Sequence, residues 1–250
     1  MDRLETVLKR FETAIIHGPG GTLLRNALTP KADVGDVTLI DELEGPGVDV
    51  VAPADALPLP SGYADLIVSM MALHAVSDLP GALVEARRVL KPDGLFIGIF
   101  PGERTLHELR SALQTAEAAV TGRVAPRVLP FVAVKDGGAL LQRAGFALPV
   151  ADVIRTTVEY ESPLKLMAEL RGAGETSHLV AGSKGALRRD VIAKMAEIYK
   201  TEFGRDDGYI PATIDLVTVT GWAPHQSQPK PLKPGSGKVS LAEAVQRSDQ

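Results

Sequence analysis

The 250-residue chain contains no cysteine. Disulfides, thiolate metal sites and a cysteine nucleophile are excluded, and the composition suits a reducing compartment. Positive charge is not in excess: 27 Lys and Arg against 31 Asp and Glu leave a net charge of −4. Without a basic field to grip a phosphate backbone, nucleic-acid binding is not expected. No apolar run reaches the roughly 18 residues of a membrane-spanning helix. The first residues lack the apolar core of a secretory signal, so a cytoplasmic location is the expectation. A G-x-S-x-G nucleophile turn and a Gly-Lys-Ser/Thr phosphate loop are also missing. His74, His107 and His178 are scattered rather than spaced as metal ligands, and each reads as structural or exposed.

The stretch from Asp55 to Phe100 carries most of the information. ADLIVSMMAL is a nearly unbroken apolar run, which fits a strand covered on both faces. Asp78-Leu-Pro80 opens a helix, with Asp78 as N-cap and Pro80 in the first turn. Leu79, Leu83, Ala86 and Leu90 recur at helical spacing. Lys91 to Gly94 ends that helix and turns the chain into LFIGIF, a second buried strand. This is a βαβ unit, and its crossover is expected to be right-handed.

Upstream, residues 1–12 read as a short amphipathic helix with Leu4, Val7, Leu8 and Phe11 on one face. A strand, a Gly18-Pro19-Gly20-Gly21 turn and a helix follow. Glycines at such a turn let a ligand approach the backbone, and the helix start offers free N–H groups. The same glycines also suit a plain strand-to-helix turn. VTLIDE reads as a second strand ending in Asp41, where a carboxylate can accept from ribose hydroxyls. VDVVAPADALPLP supplies a third strand and Asp55. Each acid, alone, reads equally as a solvated strand-end carboxylate. His74 falls just beyond the fourth strand, at the mouth of a cleft or as a structural hydrogen-bonder.

Downstream, Leu106, Leu109, Leu113 and Ala116 mark one helix, and VKDGGALLQRAGF another that ends at Gly145. ADVIRTTVEYES is strand-like. SPLKLMAELRGAGE is a helix with Leu164, Met167 and Leu170 inward, and residues 185–203 form a helix around Val191, Met195, Ile198 and Tyr199. ATIDLVTVTGWAP is rich in β-branched residues and reads as the last strand, antiparallel and towards the sheet's edge. From Pro224 the composition turns to Pro, Gln, Lys, Ser and Gly, as in a flexible tail or an arm lying across the domain or a partner. The expected organisation is one domain over residues 1–223, with helical additions at about 160–204, and a tail over 224–250.

The order of these parts resembles the class I S-adenosylmethionine-dependent methyltransferases, through Asp55-x-LPLP, ADLIVS, Leu73-His74, Asp78 and VLKPDG. The resemblance implies a three-layer α/β Rossmann-like fold with a mostly parallel seven-stranded sheet and an antiparallel last strand. It implies S-adenosylmethionine as cofactor, held by Gly18, Gly20, Asp41, Asp55 and His74, with Asp55 accepting from the adenine amino group. That family's first motif carries an acid followed by G-x-G-x-G. Here Ile16 stands at the acidic position and Thr22 at the last glycine, and Ala75 replaces a Trp in the usual L-H-W-V.

The second half is similar to the assembly-factor family of respiratory complex I (NADH:ubiquinone oxidoreductase). The similarity runs through TLHELRSALQTAE, RVLPFVAVKDGGALLQRAGF, LMAELRGAGE, DGYIPATIDLVTVTGW and HQSQPKPLKPGSGKVSL. Glu169, Gly172, Gly174 and Glu175 fall on one family pattern, and His225, Ser227, Gln228, Pro231, Gly235 and Ser236 on another. Pro101-Gly-Glu-Arg-Thr105 departs from the family's Gly-Gly-Asp-Thr turn, and Ser177 stands where relatives carry Asn. The likeness implies complex I subunits as partners and a location peripheral to the inner membrane through that complex. Two roles stay open: an assembly factor or accessory subunit with a degraded cofactor site, or an active enzyme that methylates or otherwise modifies an arginine of a complex I subunit.

Overall fold

Apolar residues that alternate along the parallel strands place one core on each face of the sheet. The computed structural model describes residues 4, 7–28, 33–128, 131–175 and 187–229. Ser177, His178, Pro231, Gly235 and Ser236 lie outside them. The strands are β1 (Phe11–His17), β2 (Val34–Asp41), β3 (Val50–Val51), β4 (Ala64–Met70), β5 (Leu90–Pro101), β6 (Ala147–Tyr160) and β7 (Ile210–Trp222). The helices are α1 (Gly21–Leu28), α2 (Leu79–Val89), α3 (His107–Thr121), α4 (Val134–Arg143), α5 (Pro163–Gly172) and α6 (Arg189–Phe203). One seven-stranded sheet runs in the order β3-β2-β1-β4-β5-β7-β6, parallel except at β7, which is antiparallel to both neighbours. The expected three-layer α/β fold with an antiparallel last strand is therefore present.

Ile15, Ile40, Ile67 and Phe96 point into a core completed by Leu83 and Ala86 of α2 and Leu141 of α4. Ile16, Leu39, Leu66, Val68 and Ile97, one residue out of phase, point the other way into a core with Leu28 of α1. Two covered faces explain why these strands read as continuous apolar runs. A third cluster packs Leu109, Leu113, Leu166, Met195 and Tyr199 against Ile210 and Ala212. That cluster mounts α3, α5 and α6 on the start of β7. The Asp78 side chain accepts from the Gly81 amide at 2.9 Å, the expected N-cap of α2.

Several expectations are corrected. Phe11 is not on a helix with Leu8. It begins β1 and is buried, while residues 7–10 are not helical and Leu8 is fully exposed. The third strand shrinks to Val50–Val51, because Pro53 and the turn at Ala54–Asp55 end its pairing. Lys91 to Gly94 lies within β5, where pairing steps from Ala64–Leu90 to Leu66–Leu95. In α5 the buried leucine is Leu166, with Leu164 exposed. β7 lies inside the sheet, and the edge is β6, whose Val150, Val153, Ile154 and Val158 are exposed.

Near the start of β5, Asp93 gathers the chain's first and last described segments. Lys9 Nζ is 2.9 Å from its carboxylate, and the Gln228 side-chain amide donates to it at 3.0 Å. The Lys9 hydrogen bond, then that of Gln228, holds the Asp93 carboxyl below its usual range, against burial. Gln228 also donates to the Ala223 carbonyl, so the first tail residues are tied to the sheet.

Candidate functional site

In a parallel sheet the carboxyl ends of adjacent strands open together, and a ligand crevice forms there. Gly18 and Gly20 follow β1, Asp41 ends β2, Asp55 follows β3, and His74 follows β4. These four strands are neighbours in the sheet, so all five predicted positions lie at the same end.

The turn after β1 needs its glycines. Gly18 has φ +110° and Gly20 φ +75°, conformations that side chains resist. The Gly18 amide donates to the Ile40 carbonyl at 3.0 Å, which ties the turn to β2. A Cβ on Gly18 would lie 2.2 Å from the Met70 carbonyl oxygen and 2.9 Å from the Ala72 Cβ. The turn is thus pressed between the ends of β2 and β4.

Asp41 is partly buried and accepts the Leu43 amide at 3.2 Å. Its own carbonyl accepts from the Ala52 amide at 2.9 Å, which fixes the segment leading to Asp55. Asp55 itself is exposed. His17, opposite Ile40 in the β1–β2 register, is buried, with Nδ1 3.4 Å from Ser69 Oγ and Nε2 without a hydrogen-bond partner. Burial pushes its pKa below the usual imidazole value, opposed by the Asp41 charge.

These residues fit an adenosyl cofactor at three points and depart at one. The glycine turn leaves a bare backbone, and two strand ends offer carboxylates. Ile16, where the methyltransferase pattern has an acid, is instead fully buried in the α1-side core. β1 therefore brings no carboxylate to the crevice, and its end carries the buried His17. An apolar cavity of about 450 Å³ lies elsewhere, between Leu24 and Leu28 of α1 and Val68, Ile97, Ile154 and Leu216 of the sheet. None of the five predicted positions lines it. Among the described residues, no cluster of three or more His, Asp or Glu could hold a metal, and no helix is long and apolar enough to cross a membrane.

His74 has a partner that the sequence did not supply. Its Nε2 lies 3.0 Å from Glu175 Oε2, across 101 residues. The Phe131 ring stands 6.3 Å from the imidazole, centroid to centroid. Glu175 follows α5 in a tight helix end. Its amide donates to Leu170 O at 2.9 Å, and the Gly174 amide donates to Arg171 O at 3.1 Å, with Gly174 at φ +78°. This is the Schellman arrangement, in which a left-handed glycine ends the helix and aims the next residue. A glycine followed by an acid at a helix end was the available signal.

A methyltransferase-domain model matches residues 31–98. The arginine-hydroxylase NDUFAF5, mitochondrial, of Danio rerio is 38% identical over 251 residues, covering 97% of this chain and 78% of that protein. Among solved structures, BH2331 of Bacillus halodurans superposes with a TM-score of 0.61 at 14% identity, covering 90% of this chain and 97% of the other. A phosphoethanolamine N-methyltransferase of Haemonchus contortus, in complex with S-adenosyl-L-methionine, gives a TM-score of 0.51 at 12% identity, over 90% of this chain and 51% of the other. The structural likenesses establish the fold alone, whereas the identity shared along nearly all of this chain establishes that it belongs to the NDUFAF5 family of methyltransferase-fold proteins.

Proposed function

We propose that this chain binds S-adenosylmethionine at the strand ends and modifies an arginine side chain of a respiratory complex I subunit during assembly of that complex. The observation that carries the reading is the placement of Gly18, Asp41 and Asp55 after three adjacent parallel strands. The name of the Danio rerio relative supplies arginine hydroxylation and a mitochondrial setting. Complex I as partner follows from the sequence patterns shared with its assembly factors. When bound, the cofactor supplies a sulfonium-borne methyl group. The chain's own part is to bind and orient. Gly18 and Gly20 give the backbone approach, Asp41 accepts from the ribose hydroxyls, Asp55 accepts from the adenine amino group, and His74 stands at the mouth. The working domain is proposed to span residues 1–223, with the helices at about 160–204 added to it and 224–250 as a tail towards the partner.

A second reading is an assembly factor with a degraded cofactor site. The burial of Ile16 where an acid is expected supports it. Titration calorimetry with S-adenosylmethionine separates the two. The first reading expects micromolar affinity, about −8 kcal/mol, lost in Asp55→Ala, together with a mass change on a complex I arginine: a gain of one methylene if the sulfonium methyl is transferred, or of one oxygen if a separate oxidant such as dioxygen supplies it. No heat of binding, with complex I subunits still co-purifying, would favour the second.

A further inference from the structure

We infer that Met70 decides which adenosyl ligands the crevice accepts, because its side chain occupies the place that the ligand's amino-acid end needs; this rests on the cofactor reading above. Three observations carry it. First, the order of the strands fixes which part of such a ligand arrives there. Asp55 follows β3, Asp41 ends β2, the glycine turn follows β1 and Met70 ends β4, and these strands lie side by side in that order. Neighbouring strands are about 4.8 Å apart. A ligand with its adenine at Asp55 and its ribose at Asp41 therefore directs the chain on its 5′ carbon to the junction of β1 and β4. Second, the Met70 side chain stands at that junction. It alternates in phase with Leu66 and Val68, which face the α1 side of the sheet. Its Cε would lie 3.2 Å from a Cβ on Gly20, and among the described residues no other atom comes within 4 Å of that position. The Gly20 backbone, bare of a side chain of its own, is thus covered by the Met70 thioether. Third, the backbone fixes Met70 while its side chain stays only half-buried. The Met70 carbonyl presses on Gly18. The Met71 amide donates to Ile99 O at 2.8 Å, and Met71 takes a left-handed φ of +52°, a strained geometry of the kind kept at ligand sites.

A methionine side chain is unbranched and adaptable, so it makes a displaceable cover rather than a wall. On its 5′ carbon S-adenosylmethionine carries a sulfonium whose longer branch ends in an ammonium and a carboxylate. To lay that branch against the glycine turn, the ligand must push the Met70 thioether out of its packing, and the cost lowers its affinity. 5′-Methylthioadenosine has the same adenosine and a sulfur on the same carbon, but it ends in a methyl group. It fits between Asp55 and the turn with Met70 in place. An alanine at position 70 would uncover Gly20 and remove the cost for the longer ligand alone.

The experiment titrates the full chain calorimetrically with S-adenosylmethionine and with 5′-methylthioadenosine. Met70→Ala should tighten S-adenosylmethionine about tenfold and leave 5′-methylthioadenosine within about twofold of wild type. Met70→Leu, which keeps bulk without the sulfur, should behave as wild type. The melting temperature of each variant controls for folding, and Met70→Val, too short to reach Gly20, carries the same test if the alanine variant does not fold. A shortened side chain that helps both ligands equally, or neither, overturns the inference. Its failure separates from that of the function above. If the wild type binds S-adenosylmethionine and modifies a complex I arginine while Met70→Ala gains nothing, the function stands and this assignment falls. If Met70→Ala gains affinity for S-adenosylmethionine alone but no complex I arginine is ever modified, the assignment stands and the function falls. Binding of neither ligand to any of these proteins overturns both.

Discussion

Gly18 and Met70 are in backbone-to-backbone contact: a methyl group on Gly18 would stand 2.2 Å from the Met70 carbonyl oxygen. Gly18→Ala must therefore move either the turn or the end of β4, in addition to adopting φ +110°. A loss of more than about 1 kcal/mol is expected, read from the urea midpoint at constant m-value. Gly20→Ala meets only the flexible end of the Met70 side chain, at 3.2 Å, so it should cost less. Equal losses at the two glycines would show that this contact does not constrain the turn.

His17 makes stability depend on pH. Burial holds its folded pKa below the ordinary value of 6.5. As pH falls past 6.5 the unfolded chain takes up a proton that the folded chain resists. Stability is thus fully present above that pH and declines as the pH drops towards the lowered folded value. Urea melts at about pH 7.5 and about pH 5.5 should show this loss. His17→Gln should shrink the difference between them, and an unchanged difference would remove His17 from the account.

The two leucines of α5 should respond differently. Leu166 is 1% exposed and packs in the cluster with Met195 and Tyr199, while Leu164 is 53% exposed. Leu166→Ala is expected to cost about 2–5 kcal/mol, whereas Leu164→Ala should fall within about 0.5 kcal/mol of wild type. Thermal or urea unfolding of the pair checks it. Comparable effects would mean that α5 is rotated from the orientation described.

That pair also shows where sequence reasoning reaches its limit. The spacing of Leu164, Met167 and Leu170 is as helical as any set that includes Leu166, and only the neighbouring elements, α6 and β6 among them, decide which face is buried. The same dependence on tertiary contacts moved the edge from β7 to β6. The βαβ unit around α2 was legible because local signals agreed there: apolar runs for the strands, Asp78 and Pro80 for the helix start, and Leu83 and Ala86 for its inner face. The strand-end positions were legible for a related reason, since Gly18, Asp41, Asp55 and His74 each follow a strand that the pattern marks. Glu175 was not, because its partner His74 is 101 residues away, and no periodicity encodes a contact at that range.

β6 runs for 14 residues and, among the described residues, is paired on one side only. Its exposed Val150, Val153, Ile154 and Val158 flank a row of main-chain donors and acceptors without a neighbouring strand in the sheet. Such a margin is a template for strand addition, and Asp152, Arg155 and Glu159 are the charged residues along β6 available to discourage it. In dilute solution water satisfies that margin. At high concentration the same strand gives two copies of the chain a way to join their sheets.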